Sequence, residues 1–219
     1  MRILPAVLVG ALLLAGCTDS EPDPPASSSG SARPPVVSVV PFDSGYGEDR
    51  TTLQGCAGVR DEQDAGYTRT ILIWVRLRVT AEVRLLPVTY AKRSNSLDGV
   101  TQYVGPDPGP EAPHMAISIG PPGSGPTDTR DDLRYDTHLI GDRRDSPAGL
   151  AGAQASWAGR ARVGKKGVRL APGDHYLFVE VDPAKGGMDL HELTANWRTG
   201  DAEDQVEIGE LSVREQCGG

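Results

Sequence analysis

The chain has 219 residues, with 22 Lys plus Arg against 30 Asp plus Glu and a net charge of −8. That sign argues against a nucleic-acid partner, which requires a basic surface. Four histidines and three cysteines bound any metal or nucleophile chemistry, and no cofactor-binding motif stands out.

In chain order, the first segment has one basic residue, Arg2, an apolar run from Ile3 to Leu14, and then Leu14-Ala15-Gly16-Cys17. A bilayer span needs about 20 apolar residues; this run ends at Ala15 and is interrupted by Pro5, so a spanning helix is the poorer reading. The charged start, the apolar run and the small residues before a cysteine resemble a bacterial lipoprotein signal peptide. The resemblance covers residues 1–17. It implies cleavage before Cys17, diacylglycerol on the Cys17 sulfur and often a further acyl chain, such as palmitate, on the new amine. The implied partner is the lipid bilayer, at the outer face of the cytoplasmic membrane. At roughly 0.8 kcal/mol per buried CH₂, two or three chains hold a protein stably where one does not. Apart from Lys92, Lys165, Lys166 and Lys185, every basic residue is Arg, and Gly, Ala and Pro are abundant. This usage looks like that of a high-GC genome, and together with the lipobox it suggests an actinobacterial envelope protein. Without residues 1–17 the balance is 21 Lys plus Arg against 30 Asp plus Glu. That disfavours broad electrostatic adsorption to anionic lipid or wall polymer, leaving attachment to the acyl chains.

Residues 18–35 are rich in Pro and Ser with almost nothing apolar to bury, so they read as a disordered tether. It would span about 25 Å as a coil and at most about 55 Å as polyproline II. Residues 36–219 suit a single domain. Outside the cytosol disulfides persist, and with Cys17 acylated the remaining cysteines, Cys56 and Cys217, would form one bridge. It would close a loop of 161 residues, for which the chain-entropy model gives an upper estimate of about 5 kcal/mol. Two free thiols are the alternative.

No window of helical length shows an apolar stripe of period 3.6, whereas period-two alternation recurs, so the domain reads as mostly β. Ile71, Ile73, Val75, Leu77, Val79, Ala81, Val83 and Leu85 share one parity. The stretch exceeds the usual strand length, which predicts one bent strand or two that meet near Thr80, with Pro87 at an edge or exit. Further strands are predicted at Val36–Val40, Met115–Ile119, Leu133–Ile140, Val168–Leu170, His175–Val181, Leu193–Trp197 and Val206–Val213. In the last, Val206 and Ile208 change parity with Leu211 and Val213, so a bulge is expected at Gly209. Long Gly/Pro connections fall at 105–110, 120–126 and 182–187. Eight or nine short strands with such loops predict an antiparallel β-sandwich, Ig-like or jelly-roll, with barrel closure as the lesser option. The string from Ala171 to Val181 resembles a strand entry of Ig-like domains in general.

The candidate chemistry is sparse. His114, His138, His175 and His191 lie in no catalytic string; His191-Glu192 opens like a zincin helix, but Ala195 stands where the second histidine should be. Ser124 lies between glycines without the G-x-S-x-G elbow. Acidic groups at Asp131-Asp132, Asp174, Asp189 with Glu192, and Asp201 to Asp204 match no calcium loop. Arg76, Arg78, Arg84, Leu72, Trp74, Thr80 and Glu82 share the face opposite the apolar parity. They could form an anion or glycan platform with Trp74 as a stacking surface. Alternatively, the arginines pair with carboxylates on neighbouring strands while Leu72 and Trp74 are covered. Trp157 and Trp197 read as core. With 5% aromatics, an aromatic sugar cleft is not expected. Anchor, tether and sandwich without a catalytic signature point to a non-catalytic binding or interaction module for an envelope protein, glycan or small ligand. The alternative is an envelope hydrolase or metal-dependent enzyme combining loop carboxylates with His138 or His175. A third option is an assembly factor with no ligand of its own.

Overall fold

The alternation from Ile71 to Leu85 becomes two strands that lie in two different sheets. The computed structural model describes residues 34–43, 49–59, 70–92, 100–120, 123–126, 135–139, 147–181 and 188–214; for residues 43, 49–50, 53–59, 92, 119, 135–139, 188–189 and 212–214 it describes the backbone. Strand β5 (Thr70–Val79) ends at the turn 80–82, and β6 (Val83–Lys92) leaves it for the opposite sheet. β5 keeps its odd apolar residues inward, and Val83 and Leu85 continue that parity at the start of β6, whereas past the irregularity between Leu86 and Thr89 it is Val88 that is buried.

The first sheet runs β1 (Val37–Val39), β5, β12 (Gly173–Val181), β7 (Val100–Gly105), β10 (Ala161–Arg162), and β8 (Met115–Gly120) pairs with β5 beyond β1. The second runs β11 (Val168–Leu170), β6, β13 (Met188–Thr199), β14 (Ala202–Arg214), β4 (Leu53–Val59), β9 (Tyr135–Leu139). A small ladder joins β2 (Phe42–Asp43) to β3 (Asp49–Arg50). Every pairing is antiparallel except β4 with β14, which is parallel. The protein is mainly β, and its two sheets form a sandwich rather than a closed barrel. Of the strands among the described residues, nine run five residues or longer; the predicted stretches account for seven of these and for the shorter β1 and β11, whereas β4 and β7 were not anticipated.

The core lies between the sheets. It includes Ile71, Ile73, Val75 and Leu77 of β5, Leu177 and Val179 of β12, Val83 and Leu85 of β6, and Leu190, Leu193 and Trp197 of β13, all nearly inaccessible. Residues 35–219 make up one compact unit around it. Gly209 has φ 135°, and the β13–β14 register shifts there, which lets Ile208 and Leu211 both face inward as expected of a bulge.

Pro87 sits in β6 past the point where β11 stops, since β11 pairs only with Val83 to Leu85. Among the described residues this segment has no backbone partner on that side, which is where a strand tolerates proline. The seam is closed by a side chain instead. Gln102 Oε1 of β7 accepts from Val88 N at 2.7 Å, and Gln102 Nε2 donates to Val88 O at 3.3 Å. One amide thus occupies both backbone groups of Val88 and joins the first sheet to the second.

Three elements were not legible in the pattern. Helix α1 (Pro147–Ala158) buries Gly149, Ala153, Ser156 and Trp157. Its inner face is helical in period but built from small residues, so no apolar stripe marks it; Pro147 in its first turn suits a helix start. Strand β7 buries Val104 in the core and sets Tyr103 against the opposite cluster, and apolar groups on both faces erase the alternation. Strand β4 has two glycines in seven residues.

Candidate functional site

The outer face of the first sheet is closed. Leu72, Trp74, Tyr176 and Phe178 project from β5 and β12 into a second apolar cluster with Ala112, Ala153 and Trp157. Trp157 of α1 meets Phe178 edge-on at 5.1 Å and Tyr103 at 5.2 Å, contacts worth about 0.5–1.5 kcal/mol each beyond their burial. The Arg160 guanidinium lies 3.7 Å above the Trp157 ring. The loop 106–114 is strapped down beneath the helix. Pro106 O accepts from Ser156 Oγ at 2.6 Å, and Pro113 O accepts a short bond from the Tyr176 hydroxyl. Trp74 is 2% exposed, and its Nε1 meets no acceptor among the described residues. It is packing and not a stacking surface, which removes the glycan-platform reading for this face.

Gly125 closes the same region from the other side. Its φ is +79°, and a Cβ there would sit on the Trp157 indole. Gly125→Ala is expected to destabilise by about 2 kcal/mol, from the left-handed backbone and the overlap together. Faster hydrogen exchange in α1 than in the sandwich strands would locate the damage.

Arg76 and Arg78 behave as the paired alternative requires. Arg76, 8% exposed at its side chain, places Nε 3.0 Å from Asp174 Oδ2 and Nη2 3.4 Å from Asp107 Oδ1. Arg78 grips Asp174 with two bonds of 3.0 and 3.2 Å. The hydrogen bond from Arg78, then the positive charges of Arg76 and Arg78, hold the Asp174 carboxyl below its ordinary value against the upward push of burial. Asp107 Oδ1 also accepts from Gly109 N at 2.9 Å, so the pair fastens the strap to the sheet. Arg84 is elsewhere: it is the second residue of β6 in the second sheet and donates to Lys166 O at 3.1 Å.

The outer face of the second sheet carries no such cover among the described residues. A groove of about 480 Å³ lies there between β6, β13 and β14. Leu86, Pro87 and Thr89 form one wall and Glu203, Asp204 and Gln205 the other, with Asn196 in the floor. Asn196 Nδ2 lies 3.0 Å from Pro87 O and 3.1 Å from Thr89 Oγ1. It fills the β6 irregularity between Leu86 and Thr89, where the register with β13 shifts. Glu203 pairs with Arg198 and raises that guanidinium's pKa.

The histidines are dispersed. His114 Nδ1 lies 2.6 Å from Pro41 O, His175 Nε2 is 2.9 Å from Ala171 O, and His191 Nδ1 is 3.1 Å from Glu210 Oε2. The backbone of His138 lies in β9, opposite Cys56 in β4. No group of three or more His, Cys, Asp or Glu gathers among the described residues. Ser124 is an exposed loop residue and Trp197 is core. Glu192, φ 52°, marks a bulge in β13 and is exposed. Cys17, Cys217, Asp131 and Asp132 lie outside the described residues, and so do residues 182–187. Among the described residues, no helix is long and apolar enough to cross a membrane. The groove had no signal in the sequence, because it arises from a bulge that only the β6–β13 register reveals. No protein-family model matches this chain, and no curated protein matches it.

Proposed function

We propose that this protein is a lipid-anchored, extracytoplasmic module of the cell envelope that binds a partner, without catalysis, through the outer face of its second sheet. What supports the reading is the asymmetry of the sandwich: α1 and the strap occupy one outer face, while the other presents a groove. Its walls pair the apolar Leu86 and Pro87 with the carboxylates of Glu203 and Asp204 and the amides of Asn196 and Gln205. That combination suits a protein, glycan or small ligand offering an amine or guanidinium beside an apolar group. The test is capture from envelope extract on the immobilised protein, beside a variant carrying Thr89→Arg and Gln205→Arg. A partner held by the native protein and lost on the blocked one carries the reading; equal retention by both sinks it.

The anchor rests on Cys17 and its preceding Leu14-Ala15-Gly16. Mass spectrometry of the N-terminal peptide should find diacylglycerol on Cys17, and Cys17→Ser should accumulate as uncleaved precursor. A Cys17→Ser chain that is still cleaved and acylated would rule the anchor out. Such a protein would face the envelope from the outer side of the cytoplasmic membrane, held at the bilayer by its acyl chains and its tether.

A further inference from the structure

The chain is acidic overall, yet residues 146–173 contain no Asp or Glu and carry Arg160, Arg162, Lys165, Lys166 and Arg169. The fold gathers these cations along one seam of the sandwich. β10 lies at the margin of the first sheet and β11 at the margin of the second, with the turn 163–167 passing between them. Gly167 N donates to Gly164 O at 2.8 Å, closing a turn that puts Lys165 and Lys166 at its tip. Gly167, φ +69°, has no room for a Cβ because Leu85 O and Arg84 Cγ lie against it, so the turn is held on β6. Arg162, Lys165, Lys166 and Arg169 are exposed. Beside them a small pocket is lined by Arg84, Arg169 and Arg198 with Glu82. Glu82 approaches Arg169 at 3.6 Å, and Arg198 is matched by Glu203, leaving the seam itself cationic.

The Arg84, Lys166 and Arg169 part of this seam lies toward the end of the domain where the chain enters, while Arg162 is level with Tyr103, Phe178 and Trp74 further along the first sheet. Val36 O accepts from Thr80 N at 2.9 Å and Thr80 Oγ1 at 3.2 Å. Three residues later Val83 pairs with Leu170 of β11, and Arg84 pairs with Arg169. The turns at 171–172 and 200–201 close the same end, since Gly173 pairs with Val79 and Arg198 with Arg84. Val36 therefore sits at this end of the domain.

We propose that the Arg84, Arg162, Lys165, Lys166 and Arg169 seam is a docking surface for anionic phospholipid headgroups, seating the domain on the membrane. The inference takes the choice of surface from the anchor reading, but the binding itself needs no acyl chain. Cations near an anionic bilayer contribute about five-fold in affinity each, and they do so locally, within a Debye length of about 10 Å, so the net charge of the whole chain does not oppose them.

The test uses residues 18–219, which contain the whole compact unit and lack Cys17. Vesicles of phosphatidylcholine with about one third phosphatidylglycerol should sediment this chain at about 0.1 M salt, vesicles of phosphatidylcholine alone should not, and about 0.5 M salt should release it. Lys165→Glu, Lys166→Glu and Arg169→Glu together should weaken binding on the order of a hundredfold with an unchanged melting temperature. Binding that ignores phosphatidylglycerol, or that survives the triple reversal, overturns the proposal. So does displacement from the vesicles by soluble polyglycerol phosphate at lower phosphate concentration than the lipid supplies, which would assign the seam to a wall polymer. An unmodified Cys17 in cells would remove the anchor while leaving the vesicle result standing, so the two failures are distinguishable.

Discussion

Asp174→Asn is expected to lower stability by about 3 kcal/mol, the low end of what breaking a buried ion pair costs. The carboxylate faces two guanidiniums, and the buried one, Arg76, keeps only the more exposed Asp107 when Asp174 is neutralised. Arg78→Ala removes a partner that is 58% exposed at its side chain, so it should cost no more than about 1 kcal/mol. The pH dependence has a definite sign. Because the folded Asp174 carboxyl is held below its ordinary value of 3.8, its contribution is complete above that value and is lost as pH falls through the lower folded value. Urea unfolding of the native protein should therefore show an acid loss of stability that Asp174→Asn largely lacks, and the two curves should converge at low pH. Curves that stay parallel, or a variant within about 0.5 kcal/mol of native at neutral pH, would mean that Arg76 is satisfied without Asp174.

Thiol titration of the unfolded, unreduced protein should find Cys56 and Cys217 unreactive, and reduction should cost up to about 5 kcal/mol. The β-ladder bears on this expectation. In the parallel pair Ser212 lies opposite Cys56 and Arg214 opposite Gly58. Arg214 is thus about 8 Å from Cys56 between Cα atoms, given two strand residues along and one strand spacing across. Cys217 is three residues further, a reach of at most about 10 Å. A chain that turned back after Arg214 would meet the 4.4–6.8 Å a disulfide needs, whereas one that continued straight would not. Cys56→Ser with Cys217→Ser should lower the unfolding midpoint as much as reduction of the native protein does. Two titratable thiols in the unreduced protein would dispose of the bridge.

Much of the sandwich could be read from side-chain parity. The odd residues from Ile71 to Leu85 marked the inward face of β5 and of the start of β6, and the parity change at Gly209 marked its bulge, because these residues face the main core between the sheets. Where a strand or helix is buried on both sides, or buries small residues, that signal vanishes. Trp74 and Leu72 share the polar parity of β5 only because a second layer covers them, and that layer is α1, whose inward residues Gly149, Ala153 and Ser156 look like linker sequence. The sequence leaves the pairing of Arg76 and Arg78 as one of two alternatives, and the β5–β12 ladder decides it by setting Asp174 opposite Arg78. The seam at residues 160–169 was hidden differently: an overall negative charge averages over a segment whose sign is opposite.

The amide of Gln102 has a role that a melting curve would miss. An unpaired strand margin is a template on which a second molecule can extend the ladder. By holding both Val88 groups, Gln102 denies that template at the point where β11 gives out and the flanking β6 residues are partly apolar. Gln102→Leu should therefore reveal itself in concentration-dependent self-association, seen as light scattering or thioflavin binding well below the unfolding temperature. Proteins crowded laterally on a membrane, at high local concentration and in a common orientation, would feel that loss first.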